Sequence, residues 1–162
     1  TSTADGARKR SCRSQSRPRV CDTRGVEPWH REIIELHEFF EGYFLGIIAA
    51  DDVGRLEAAL APDFTIIAPG GGESSRAQTV AAIRGSHAHT SQFTISIADA
   101  RLLVETPELL VARYVEHQET ADATTDRLST VVFARASDAP NGLRWRTVHE
   151  TWLPAAHSPD AP

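Results

Sequence analysis

Residues 143–154 read Leu143-Arg144-Trp145-Arg146-Thr147-Val148-His149-Glu150-Thr151-Trp152-Leu153-Pro154, and how this stretch is read decides the fold. Its side chains fall into two sets, Trp145, Thr147, His149 and Thr151 against Arg144, Arg146, Val148, Glu150 and Trp152. That is the period of two of a β-strand with unlike faces. A strand half-buried on an ordinary core turns aliphatics inward. Here one row sets a tryptophan ahead of threonine, histidine and threonine, as a strand lining a mixed polar and apolar cavity does. The opposite row, with Val148 and Trp152, then faces outward.

Working back from that strand, three more extended segments precede it. Phe93, Ile95 and Ile97 alternate with Thr94, Ser96 and Ala98, and Leu109 to Glu119 and Arg127 to Ala136 follow. They are separated by Pro107-Glu108, by a polar turn from Ala121 to Thr125, and by Asp138 to Gly142, which predicts an antiparallel meander. Ahead of the meander the periodicity is helical. From Pro28, suited to a first helical position, Trp29, Ile33, Leu36, Phe40, Tyr43, Phe44 and Ile47 recur at three- and four-residue steps. Glu32, Glu35, Glu38 and Glu41 mark another face, and His37 sits beside the apolar stripe as a core-edge residue. This helix is expected to end near Ala50, with Gly42 and Gly46 kept for close approach of a neighbour. A short second helix, capped by Asp51 or Asp52, carries Val53, Leu56, Ala59 and Leu60 and stops at Pro62. A strand from Phe64 to Ala68 is broken by Pro69 and Gly70-Gly71-Gly72. Ser75 and Gln78 then form a capping box for a third helix running to Gly85. Helices first and strands after make an α+β domain: a cone-shaped curled antiparallel sheet covered by three N-terminal helices.

The chain of 162 residues suits one domain with a core that needs no staples. Residues 1–25 hold seven basic side chains against two acidic ones, and the remainder holds ten against twenty. A basic, apolar-poor tail over residues 1–25 is therefore expected to be disordered, followed by an acidic domain over 26–155 and a disordered end over 156–162. Cys12 and Cys21, the only cysteines, both fall in that tail, so no disulfide framework is expected. The apolar run from Phe39 to Ala50, broken by Glu41, Gly42 and Gly46, is too short to span a bilayer. The expectation is a cytoplasmic protein with no membrane partner. A basic stripe for nucleic acid is absent from the domain, the glycine run lacks phosphate-loop spacing, and Lys9 is the only lysine, so no Schiff-base chemistry has a candidate. His87 and His89 stand two apart without a zinc motif, and neither a metal site nor a cofactor is expected.

The order of elements, with "DFTIIAPGG" from Asp63, "VARYVEHQE" from Val111 and "GLRWRTVHETW" from Gly142, resembles the nuclear transport factor 2-like superfamily in its SnoaL-like branch. The last strand is similar to the end of the association domain of calcium/calmodulin-dependent kinase II, with its Trp and His at the spacing of Trp145 and His149. The resemblance covers about Val26 to Pro154 and implies a homodimer with an internal pocket. Ketosteroid isomerases on this scaffold use a helix tyrosine and a protonated Asp as oxyanion donors and an Asp as base. Aligned on the proline ending the first strand, here Pro69, those roles fall on Phe44, on a segment from Arg127 to Ala136 without a carboxylate, and on Ala68. That chemistry is not expected.

Alternation places Tyr114, Glu116 and Gln118 on one face of their strand. If that face and the Trp145 row both look into the cone, Glu116 and His149 form a candidate acid and base pair, the carboxyl raised by desolvation. Tyr114, Gln118, Trp145, Thr147, Thr151, Phe40, Tyr43 and Phe44 are then the ligand-binding candidates. Two functions follow from this reading. One is a homodimer whose pocket takes a small, largely apolar molecule and isomerises, hydrates or cyclises it. The other is a non-catalytic association module with a vestigial pocket, in which Glu116 and His149 are merely a satisfied internal pair.

Overall fold

The computed structural model describes residues 25–154. The expectations for the basic stretch up to residue 24, Cys12 and Cys21 included, and for residues 156–162 lie outside them. Three helices, α1 (Pro28–Phe44), α2 (Gly54–Ala59) and α3 (Arg76–Gly85), accompany six strands, β1 (Leu60–Ile67), β2 (Glu73–Ser75), β3 (Phe93–Glu105), β4 (Leu109–Thr120), β5 (Thr124–Arg135) and β6 (Leu143–Trp152). They form one open sheet in the order β2-β1-β6-β5-β4-β3. β3 to β6 make the expected antiparallel meander. The sheet as a whole is mixed, because β1 joins β6 in parallel and the short β2, hidden from periodicity in the glycine-flanked loop, pairs with β1. None of the described helices is long and apolar enough to cross a membrane.

The helix α1 stops six residues before the expected Ala50, and the stop is local. Gly46 takes φ +72°, its N–H bonds to the Tyr43 carbonyl, and the Ile47 N–H bonds back to that of Gly42 at 2.8 Å, which is the paired closure of a Schellman cap. A Cβ on Gly46 would also stand 2.8 Å from that of Ala88, so turn and close approach both require glycine there. The capping box forms as expected, with Ser75 and Gln78 each bonding the other's backbone.

The core gathers Ile33, Leu36, Phe39 and Tyr43 of α1 with Leu56, Phe64, Tyr114, Phe133, Trp145 and Val148. Each fully buried side chain of this size is worth about 1.5–3 kcal/mol of transfer free energy. Glu32, expected on the polar face of α1, is completely buried. It accepts both Arg55 guanidinium nitrogens (3.1 and 2.8 Å), the Trp145 indole N–H at 2.9 Å and the Asn141 amide at 2.9 Å. One carboxylate thereby ties α1, α2, the turn before β6 and β6 itself. Burial raises its pKa above the ordinary carboxylate value although Arg55, Asn141 and Trp145 all oppose that rise.

The period of two in β6 is interrupted. Trp145 opposes Phe133 and Thr147 opposes Val132, leaving Arg146 as an extra residue, a β-bulge. Trp145, Val148 and Glu150 therefore turn inward and are buried, whereas Arg146, His149 and Thr151 are exposed on the other face; Trp152 shares the inner row but is exposed at the end of the strand. This corrects the expected inward row of Trp145, Thr147, His149 and Thr151, because one inserted residue moves every later side chain to the other face.

Candidate functional site

Between α1, α3 and the inner face of the sheet lies a cavity of about 170 Å³. Its walls are largely apolar, with Phe40, Phe44, Phe64, Ile66, Ile83 and Ile95 among them, and one end is polar, formed by His37, Tyr114, Glu116, Gln118, Arg127 and Glu150. Helical spacing explains the α1 wall, since Phe40 and Phe44 fall three and seven residues after His37 on one face. Strand register explains the polar end. Glu116 of β4 stands directly opposite Arg127 of β5, and Arg127 opposite Trp152 of β6, over whose ring its guanidinium lies 5.1 Å from the centroid.

The His37 and Glu116 side chains are both buried, with Nε2 and Oε2 3.0 Å apart. The other ring nitrogen, Nδ1, donates to the Ile33 carbonyl at 2.6 Å. A carbonyl can only accept, so Nδ1 carries a hydrogen, and the contact to Glu116 then requires a further proton on one of the two partners. Gln118 donates to the second Glu116 oxygen, and Arg127 Nε lies 3.6 Å from it. Burial pushes Glu116 up, but the His37 hydrogen bond and charge, with Arg127 and Gln118, outweigh it and hold the carboxyl below its ordinary value. Glu150, which accepts Arg127 Nη1 at 3.3 Å, goes the other way: burial and then the charge of Glu116 raise it, against the opposing pull of Arg127. Two carboxyls share one arginine and are driven apart in acidity, the condition under which one donates and the other accepts a proton. Burial, then Glu116 and Glu150, hold the Tyr114 hydroxyl well above its ordinary value and so protonated.

Of the residues singled out from sequence, the cavity brings together Phe40, Phe44, Tyr114, Glu116, Gln118 and Trp145. His149 is exposed on the outer face opposite Thr130, so it is not Glu116's partner. Thr147 bonds Thr65 on that same outer face at 3.2 Å, and Thr151 is exposed. Tyr43 is buried but turned away, its hydroxyl donating to the Ala50 carbonyl at 2.9 Å. Sequence reasoning missed His37, Arg127 and Glu150 as site residues. The signal for His37 was its place four residues after Ile33 and three before Phe40, whereas Glu150 was hidden by the bulge.

His87 and His89 serve the loop after α3, on the Ile48 carbonyl at 2.8 Å and the Ser86 carbonyl at 2.6 Å. A larger hollow of about 430 Å³ lies near the start of α1, between Trp29, Leu110 and Arg135. Arg135 there is engaged with Glu105 and Asn141 with Glu32 and Glu35, and the hollow holds none of the carboxyls that burial shifts at the end of the smaller cavity.

Structural comparison finds an NTF-2-like protein of unknown function from Pseudomonas aeruginosa, with TM-score 0.73, 28% identity, and 78% of this chain and 99% of that one covered. A protein with a cystatin-like fold from Caulobacter vibrioides aligns with TM-score 0.60 at 14% identity over 81% and 91% of the two chains. A CaMKII hub from S. rosetta aligns with TM-score 0.57 at 12% identity over 76% and 95%. No curated protein matches the sequence. The profile of one sequence family matches residues 29–154, which takes in the three helices, except Pro28 at the start of α1, and all six strands. With the nuclear transport factor 2-like fold that these neighbours share, the chain belongs to the family described as sucrose-6-phosphate phosphohydrolase C-terminal.

Proposed function

We propose that the domain is a homodimer that takes a small, largely apolar molecule into the cavity under α1, with Glu116 and Glu150 as its acid and base groups. One observation carries the reading: the buried His37, Glu116 and Glu150, with the half-buried Arg127 between the two carboxyls, line the end of a largely apolar cavity. Ionisable groups are costly to bury, and a site that both desolvates them and offers room for a ligand is where perturbed acidity serves binding or chemistry. The family's description names a sucrose-6-phosphate phosphohydrolase, yet a phosphate ester suits this cavity poorly. Its one arginine is engaged by two glutamates, and a phosphate dianion placed there meets both.

Native mass spectrometry of the purified protein tests the reading, with twice the chain mass plus a bound small molecule expected. Ile83→Trp, on the partly exposed wall supplied by α3, fills the cavity and is expected to abolish that added mass while the dimer persists. Retention unchanged in this variant overturns the cavity as the binding site.

The second reading, an association module, draws on the outer sheet face. There Val111, Val115, Leu128 and Val132 are only half-buried, an apolar surface suited to a second copy of the chain.

A further inference from the structure

Three polar side chains stand in one row beside the cavity. Tyr114 of β4 is directly opposite Ser129 of β5, and Ser129 directly opposite Glu150 of β6. They are 1%, 0% and 7% exposed, and Tyr114 and Glu150 line the cavity. Their hydrogen-bonding capacity is not used up among the described residues. The Ser129 hydroxyl makes no hydrogen bond of regular geometry, and the Tyr114 hydroxyl is the group close enough to offer it one. Turning it and the Tyr114 hydroxyl toward each other uses one O–H and leaves the other. Glu150 receives Arg127 on one oxygen, which leaves its second oxygen as an acceptor. Neighbouring groups are saturated by contrast: both Glu116 oxygens and both His37 nitrogens are engaged. Buried polar groups in folded proteins are almost always bonded, so a spare donor and a spare acceptor at the end of an apolar cavity describe the polar atom they await.

Resting on the cavity reading above, we propose that the ligand is a small ring or short apolar body bearing one hydroxyl group, an alcohol or phenol, whose oxygen accepts from Tyr114 and whose O–H donates to Glu150. A hydroxyl is the group that accepts and donates at a single atom. A carbonyl only accepts, and it leaves the free Glu150 oxygen facing a lone pair. A carboxylate adds a third acid beside Glu116 and Glu150. The volume fits one six-membered ring, since an apolar protein cavity of about 150 Å³ holds benzene.

Titration calorimetry of the full chain with phenol, benzene, benzaldehyde and benzoate tests this. Phenol is expected to bind about tenfold more tightly than benzene, the worth of one or two hydrogen bonds, with benzaldehyde and benzoate no tighter than benzene. Tyr114→Phe is expected to bring phenol down to the benzene level while benzene itself binds as before, which also reports that the variant folds. Equal binding of phenol and benzene overturns the hydroxyl assignment and leaves the cavity reading standing. Tighter binding of benzaldehyde overturns it in favour of a carbonyl ligand, and tighter binding of benzoate in favour of an anion held by Arg127. Binding of none of the four overturns both the cavity reading and the assignment.

Discussion

Glu116 and Glu150 share Arg127 and yet are held on opposite sides of the ordinary carboxylate value. The cause is the partner count: Glu116 has His37 and Gln118 besides Arg127, whereas Glu150 has Arg127 and the repulsion of Glu116. A carboxyl raised in the fold favours its protonated form there, so its contribution to stability is present in acid and lost as pH climbs through the folded value above 4.5. A lowered one contributes above 4.5 and loses that contribution as pH falls through its folded value. Hence, between about pH 3 and about pH 8, the melting temperature of Glu150→Gln relative to the parent should rise as pH climbs past 4.5, and that of Glu116→Gln should fall as pH climbs up to 4.5 and stay level above it. Thermal melts of the three proteins across that range check it, and parallel curves count against the assignment. Acidity of this kind was only half legible in the sequence. Glu116 stood out by its parity with Tyr114, but nothing in the order of residues said that a histidine 79 positions away would hold it.

At the scale of the element, β6 shows what one extra residue does. Strict alternation from Trp145 carries His149 inward, and the bulge at Arg146 carries Val148 and Glu150 inward instead. Bulges of this kind re-aim side chains beside functional sites. Val148 is 4% exposed in the core, so Val148→Ala should cost about 2–3 kcal/mol in chemical denaturation. His149→Ala should stay within about 0.5 kcal/mol of the parent. The reverse order would restore the unbroken strand. The helix α1 tells a similar story at its end, where Gly42 and Gly46 were recognised as points of close approach but the apolar run beyond them disguised the turn. Ile47 and Ile48 continue the helical period in sequence while the backbone has already reversed.

The whole molecule offers two surfaces from one sheet, a concave one around the cavity and an outer one on which Val111, Val115, Leu128 and Val132 recur in register. If the outer face joins two copies, Leu128→Glu combined with Val132→Glu should convert the dimer to monomers in size-exclusion light scattering while native mass spectrometry still finds the small molecule. An unaltered mass would remove the outer face as the interface. Val148 and Trp152, which alternation had put on this surface, belong to the inner one and are unsuited to the test. The sequence by itself determined the class of fold, the three helices, the four-stranded meander and the cap at Ser75, because periodicity and caps are written in residues a few positions apart. It also determined that Glu116, Tyr114 and Gln118 share a face, since parity along an unbroken strand is local. Only the tertiary structure decided which row of β6 looks inward, that β1 joins the sheet in parallel, and that His37, Arg127 and Glu150 meet Glu116. Those choices depend on bulges and on contacts across the sheet, whose free energy arises between residues that no local pattern brings together.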